Sequence, residues 1–104
     1  MDFSKQNILI IEDNLETLEI MIGIFESEFS TVYSATDGYE AIEIFKTNKI
    51  NVILCDLNIP KLNGLDTINK IKEINYSIPI IVISAYSDND NLLKVSNSNI
   101  QGYF

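Results

Sequence analysis

The chain contains no histidine and no arginine, and it has a single cysteine. Without histidine, the Ser-His and Cys-His pairs of nucleophilic catalysis cannot be built. With one thiol and no imidazole, a zinc-thiolate centre is not expected. Cys55 has no partner for an internal disulfide, and its place in an apolar run marks it as a reduced core residue. Lysine supplies every basic charge, and the formal net charge is −8. Nucleic-acid binders carry a basic footprint, so direct nucleic-acid binding is not expected. No apolar run is long enough to span a bilayer, and the N-terminal MDFSKQ lacks a signal-peptide layout. A cytoplasmic chain that does not engage the membrane is the expectation. Repeats, linkers and low-complexity segments are missing too. The hydrophobic content of 46% excludes a disordered chain. At 104 residues the chain suits one domain with a core. The chemistry left open is that of carboxylates, hydroxyls, lysine and hard metal ions.

What the chain does have is centred on Ile50 to Gly64, INVILCDLNIPKLNG. An apolar run, Val52 to Cys55, ends on one acid, Asp56, and a turn with Pro60, Asn63 and Gly64 follows. This pattern predicts a strand buried on both faces, of the kind found in parallel sheets. Such sheets bind ligands beyond the carboxyl ends of their strands, where Asp56 stands. Alone, Asp56 reads as a turn residue.

The rest of the chain alternates strand and helix. Asn7 to Ile11 predicts a first buried strand running into Glu12 and Asp13, with Asn14 able to cap a helix carrying Leu15, Leu18, Ile22 and Phe25 on one face. Ser30 to Ala35 predicts a second strand. Asp37 and Glu40 have capping-box spacing and start a helix with Ala41, Ile42, Ile44 and Phe45, ending near Asn48. A third helix is expected from about Leu65 to Ile74, with Leu65, Ile68, Ile71 and Ile74 inward. Pro79 opens a fourth strand, Ile80 to Ile83, which ends at Ser84 and Ala85. Asp88 to Val95 predicts a weaker fourth helix closed at Asn99, and Gly102 to Phe104 a fifth strand. The fold class is therefore α/β, a doubly wound parallel sheet of flavodoxin-like type.

In the strand order 2-1-3-4-5 the first and third strands adjoin at the topological switch point. Glu12, Asp13, Asp56 and Ser84 then share one sheet edge. Clustered carboxylates repel one another unless one is protonated or a cation sits among them. An all-oxygen set points to Mg²⁺ or a similar hard ion. Glu12 and Asp13 alone would read as helix-start acids, and Ser84 as a local cap. Matching chemistry at three strand ends favours a shared site.

With these residues the chain resembles the receiver domains of two-component response regulators along its whole length. The resemblance rests on Glu12-Asp13, Asp56 with Pro60 and Gly64, Ser84-Ala85 and Gly102-Tyr103. It implies that Asp56 accepts a phosphoryl group from a histidine kinase or phosphotransfer protein. It implies Mg²⁺ bound directly by Asp13 and Asp56, through water by Glu12, and by the backbone carbonyl of Asn58. Ser84 would bond the phosphoryl group, Tyr103 would turn inward with it, and small Ala85 would leave it room. The domain would be a phosphoacceptor and not an enzyme, with weak self-catalysed phosphotransfer and dephosphorylation. The alternative is a phosphorylation-independent interaction module with the same fold.

The chain departs from the family in several places. The lysine and proline after strand five, and the fifth helix, would lie beyond Phe104, so a C-terminally incomplete domain over residues 1–104 is expected. Ile59 replaces a frequent Met, and Asn99-Ile100 a frequent Gly-Ala. An aspartyl-phosphate hydrolase would want an acid where Asn58 stands, and a flavin binder a phosphate loop after the first strand. If the chain ends at Phe104, apolar surface around Leu18, Ile22 and Phe25 would meet water and drive a homodimer.

Overall fold

A computed structural model describes residues 3–83 and the backbone of one further strand, Gly102–Tyr103. In chain order the elements are β1 (Asn7–Ile11), α1 (Leu15–Phe25), β2 (Thr31–Ala35), α2 (Gly38–Thr47), β3 (Val52–Asp56), α3 (Gly64–Ile74), β4 (Ile80–Ile83) and β5 (Gly102–Tyr103). The strands form one parallel sheet in the order β2-β1-β3-β4-β5. The expected Ser84 and Ala85, the fourth helix Asp88 to Val95, and Asn99 lie outside the described residues.

Each helix begins where a side chain replaces a missing backbone partner. Asn14 Oδ1 accepts the Thr17 N–H at 2.9 Å, Asp37 Oδ1 the Glu40 N–H at 2.9 Å, and Asn63 Oδ1 the Asp66 N–H at 2.9 Å. Glu40 answers Asp37 by accepting the Thr36 N–H at 2.8 Å, so the expected capping box forms, reaching one residue further back.

The central strands are buried on both faces, as their unbroken apolar runs require. Leu9, Ile11, Ile53, Cys55, Ile80 and Val82 pack with the inner faces of α2 and α3. Ile8, Ile10 and Leu54 pack with Leu18 of α1 and with Phe29. Phe29 stacks on Phe3, with ring centres 4.8 Å apart, and meets Phe25 edge-on.

Two helix faces differ from their expected sets. On α3, Ile68 and Ile71 are fully buried but Ile74 is about half exposed. Steps of three residues rotate backwards around a helix of 3.6 residues per turn, so the series drifts off the inward face at Ile74, while Leu65 stays packed against the core. On α1, Leu18 is buried while Leu15 is 65% exposed. Leu15 opens the helix, and side chains there lean back towards the N-terminus, past the end of the sheet. Leu18, Ile22 and Phe25 pack against β1 and β3, so the exposed apolar residues of α1 are Leu15, Ile20 and Ile24.

At the other end of the sheet, the Asn7 N–H donates to Asn51 Oδ1 at 2.8 Å. The Asn51 N–H returns to the Asn7 carbonyl at 2.9 Å, and Asn7 Nδ2 donates to the Lys49 carbonyl at 2.8 Å. From this polar latch the register runs Ile8↔Val52 to Ile11↔Cys55. The next residues along the two strands are Glu12 and Asp56.

Candidate functional site

The switch point of the sheet brings together the acids that follow β1 and β3. One carboxylate oxygen from each of Glu12, Asp13 and Asp56 lies within 4.8 Å of the others. Burial differs sharply among them: Glu12 is buried, Asp56 half-buried and Asp13 exposed. Glu12 is held in place by its backbone N–H, which bonds the Ala35 carbonyl at 3.0 Å, and by its Oε2, which accepts the Asn14 N–H at 3.2 Å. Burial pushes the Glu12 carboxyl up to about 7; the Asn14 N–H partly opposes this, and Asp56 adds to it. Burial likewise raises the Cys55 thiol, with Asp56 and Glu12 adding to the effect, so this cysteine is an inert core residue.

Asp56 ends β3, and its Oδ1 accepts the Asn58 N–H at 3.0 Å. The Leu57 N–H extends the strand ladder to the Ile83 carbonyl at 3.3 Å. Asn58 itself is exposed in the loop between β3 and α3. That loop closes where the Gly64 N–H bonds the Leu57 carbonyl at 3.2 Å. A Cβ on Gly64 would stand 2.5 Å from Leu57 Cα and 2.8 Å from the Leu57 oxygen, so only glycine allows this approach. Tyr103 lies on β5 in register with Val82 of the neighbouring β4, and Ser84 is outside the described residues.

Sequence reasoning took Asp37 only as a helix cap and gave Lys61 no role. Lys61 Nζ reaches Asp37 Oδ2 at 3.3 Å. Lys61 also has the positive backbone φ of 66°, found in no other described non-glycine residue. Beside this pair, Gly38 packs directly against the Leu62 carbonyl and the Thr67 hydroxyl, with no space for a Cβ. The α2 N-terminus and the loop after Asp56 are thus in contact.

The donor set suits a hard divalent ion. It offers carboxylate oxygens only, and like charges this close are eased by a cation among them. Glu12, Asp13 and Asp56 would hold such an ion. Among the described residues, no helix is long and apolar enough to cross a membrane.

The family model of the response regulator receiver domain matches residues 8–104. The chain is 26% identical over 103 residues to the transcriptional regulatory protein ZraR of Klebsiella oxytoca, covering 99% of this chain and 23% of that protein. It is 40% identical over 67 residues to the aerobic respiration control protein ArcA of Escherichia coli, covering 64% of this chain and 28% of that one. The chain thus spans about a quarter of the length of these relatives. Among solved structures, the N-terminal domain of an uncharacterized protein from Wolinella succinogenes superposes with a TM-score of 0.89 at 33% identity, covering 94% of this chain and 79% of that one. A receiver domain protein from Clostridium thermocellum gives 0.86 at 27% identity, covering 95% and 80%. A Borrelia burgdorferi complex of CheX, CheY, BeF3 and Mg²⁺ gives 0.87 at 25% identity, covering 95% and 76%. The fold, the acid cluster at its switch point and the family match agree: the chain belongs to the response regulator receiver domains of two-component systems.

Proposed function

We propose that the chain is a phosphoacceptor switch in which Asp56 takes a phosphoryl group from the phosphohistidine of a kinase or phosphotransfer protein. The observation that supports this most is the meeting of Glu12, Asp13 and Asp56 at the ends of adjacent central strands. An Asp56 carboxylate oxygen attacks phosphorus, the P–N bond to the donor imidazole breaks, and an acyl phosphate forms on Asp56. Water later cleaves the P–O bond, returning the Asp56 carboxylate and inorganic phosphate. A bound Mg²⁺ would neutralise charge gathering on the transferring group. Asp13, Asp56, Glu12 and Asn58 would hold it. The Asn58 N–H on Asp56 Oδ1 orients the nucleophile. Ser84, after β4, receives the phosphoryl oxygens, and Tyr103 on β5 reports the change. The domain works as a switch in the cytoplasm and turns over slowly, as an acceptor and not as an enzyme. The CheX–CheY neighbour carrying BeF3 and Mg²⁺ supports the same chemistry on this fold.

Mass spectrometry after treatment with acetyl phosphate and Mg²⁺ tests this. The expected result is a single phosphoryl adduct that is absent from Asp56→Asn and absent without the metal. An equal adduct in Asp56→Asn would move the acceptor elsewhere. No adduct in any form would favour an interaction module that keeps the fold without the chemistry.

A further inference from the structure

We propose that Lys61 and Asp37 form a positioning clamp for the acidic pocket. The ion pair ties the loop after Asp56 to the first turn of α2, and so holds Asn58 and the Asp56 carboxylate in their working places. The proposal rests on the reading of that pocket as a cation site.

The loop is anchored at its base, where Gly64 lies against Leu57, but its middle contains a conformation that opposes it. Lys61 sits at φ 66°, which crowds the Cβ of any residue but glycine. Packing does not compensate, since the Lys61 side chain is 67% exposed. What Lys61 gains in this conformation is Asp37. The Asp37 side chain is only 13% exposed, and one of its oxygens is already held by the Glu40 N–H. That N–H, followed by Lys61, keeps the Asp37 carboxyl below its usual range, so it stays ionised. The acid is therefore preorganised, and only the lysine must give up rotamer freedom to complete the pair.

The bonds close a ring around the pocket. The Glu12 N–H bonds the Ala35 carbonyl, which ties β1 to the segment entering α2. Thr36 and Asp37 are fixed to Glu40 at the start of that helix. Asp37 holds Lys61, and the same loop carries Asn58, whose N–H bonds Asp56. Asp56 and Glu12 then face one another across the β1–β3 boundary. Gly38 against Leu62 and Thr67 brings helix and loop close enough for the clamp to span. Opening it frees the loop at its strained point and loosens the donor that orients Asp56.

The test is Mg²⁺ titration of the ¹⁵N-labelled chain, following the Asn58 and Asp56 amides, with urea denaturation of every variant. Lys61→Met and Asp37→Asn should each weaken Mg²⁺ binding about twofold to fivefold at low salt, the range of an exposed ion pair. Asp37→Asn keeps a good helix cap, so its effect reads the charge. The double variant should lose no more than either single one, and Lys61→Arg should retain most of the affinity. Lys61→Gly separates positioning from stability, because glycine accepts the backbone conformation freely. It should keep or raise resistance to urea while still weakening Mg²⁺ binding. The differences should shrink in about 1 M salt. Unchanged affinity in Lys61→Met, Lys61→Gly and Asp37→Asn, with binding abolished in Asp13→Asn, would overturn the clamp and leave the pocket reading intact. A parent chain that shows no Mg²⁺-dependent shift at these amides would overturn both.

Discussion

Gly64 and Leu57 touch backbone to backbone: the Gly64 N–H bonds the Leu57 carbonyl at 3.2 Å, and a Cβ on Gly64 would lie 2.5 Å from Leu57 Cα. Gly64→Ala must therefore push the β3 end away from the start of α3. Backbone cannot rotate aside as a side chain can, so a loss of about 1–3 kcal/mol is expected from overpacking. Because Leu57 adjoins Asp56, Mg²⁺ binding should fall as well. Urea denaturation and metal titration of the variant check both effects. Unchanged stability would show that the two segments separate freely.

Glu12 makes the metal-free domain sensitive to pH. Its carboxyl is raised from the usual value near 4.5 to about 7, chiefly by burial. The fold thus favours the neutral form. Relative stabilisation is fully present below about pH 4.5 and is lost as pH rises through about 7, when a buried charge must be carried. The difference is on the order of 3 kcal/mol at most. Urea midpoints between pH 5 and 8 should fall without metal, flatten in Glu12→Gln, and recover when Mg²⁺ is added at pH 8.

Asp13→Asn removes one charge from the cluster. Mg²⁺ affinity should drop by at least about tenfold, or 1.4 kcal/mol. The metal-free domain should become more resistant to urea, since like-charge repulsion is relieved. Calorimetry and denaturation on the same sample read the two opposite effects. A variant that loses both affinity and stability would point to a structural role for Asp13.

Lys72 is buried on α3, and its ammonium donates to the Tyr76 carbonyl at 3.0 Å and the Ile78 carbonyl at 2.7 Å. These bonds staple the helix to the segment leading into β4. Lys72→Met keeps the apolar stem but strands the carbonyls, so a loss of about 1–3 kcal/mol is expected. Mg²⁺ affinity should not change, because the staple lies away from the acids. Denaturation and metal titration again separate the two.

The strands and the acid cluster could be read from residue order because both follow from simple constraints. The runs before Glu12, Asp56 and Ser84 are too apolar for anything but a buried sheet, and parallel topology carries their ends to one edge. The ion pair of Lys61 with Asp37 could not be read in the same way. Lysine is not a residue that announces a left-handed turn, whereas the neighbouring Asn63-Gly64 is. Lys72 stands four residues after Ile68, in phase with the buried face, yet its charge argues for solvent. The nearby carbonyls of Tyr76 and Ile78, with the Tyr76 ring centre 5.8 Å from the ammonium, resolve that conflict. The spacing places Ile74 inward, but the structure leaves it about half exposed, because strict three-residue spacing drifts around the helix.

The Asn7–Asn51 latch has a consequence for fidelity of assembly. β1 and β3 are apolar on both faces, so sliding one past the other by two residues would exchange one aliphatic contact for another at little cost. Such a slip would leave the amides of Asn7 and Asn51 without their partners at the far end of the sheet. It would also carry Asp56 away from the level of Glu12. The two asparagines therefore act as an alignment mark: greasy strands that could pair in several ways are held to the single offset at which the acids meet.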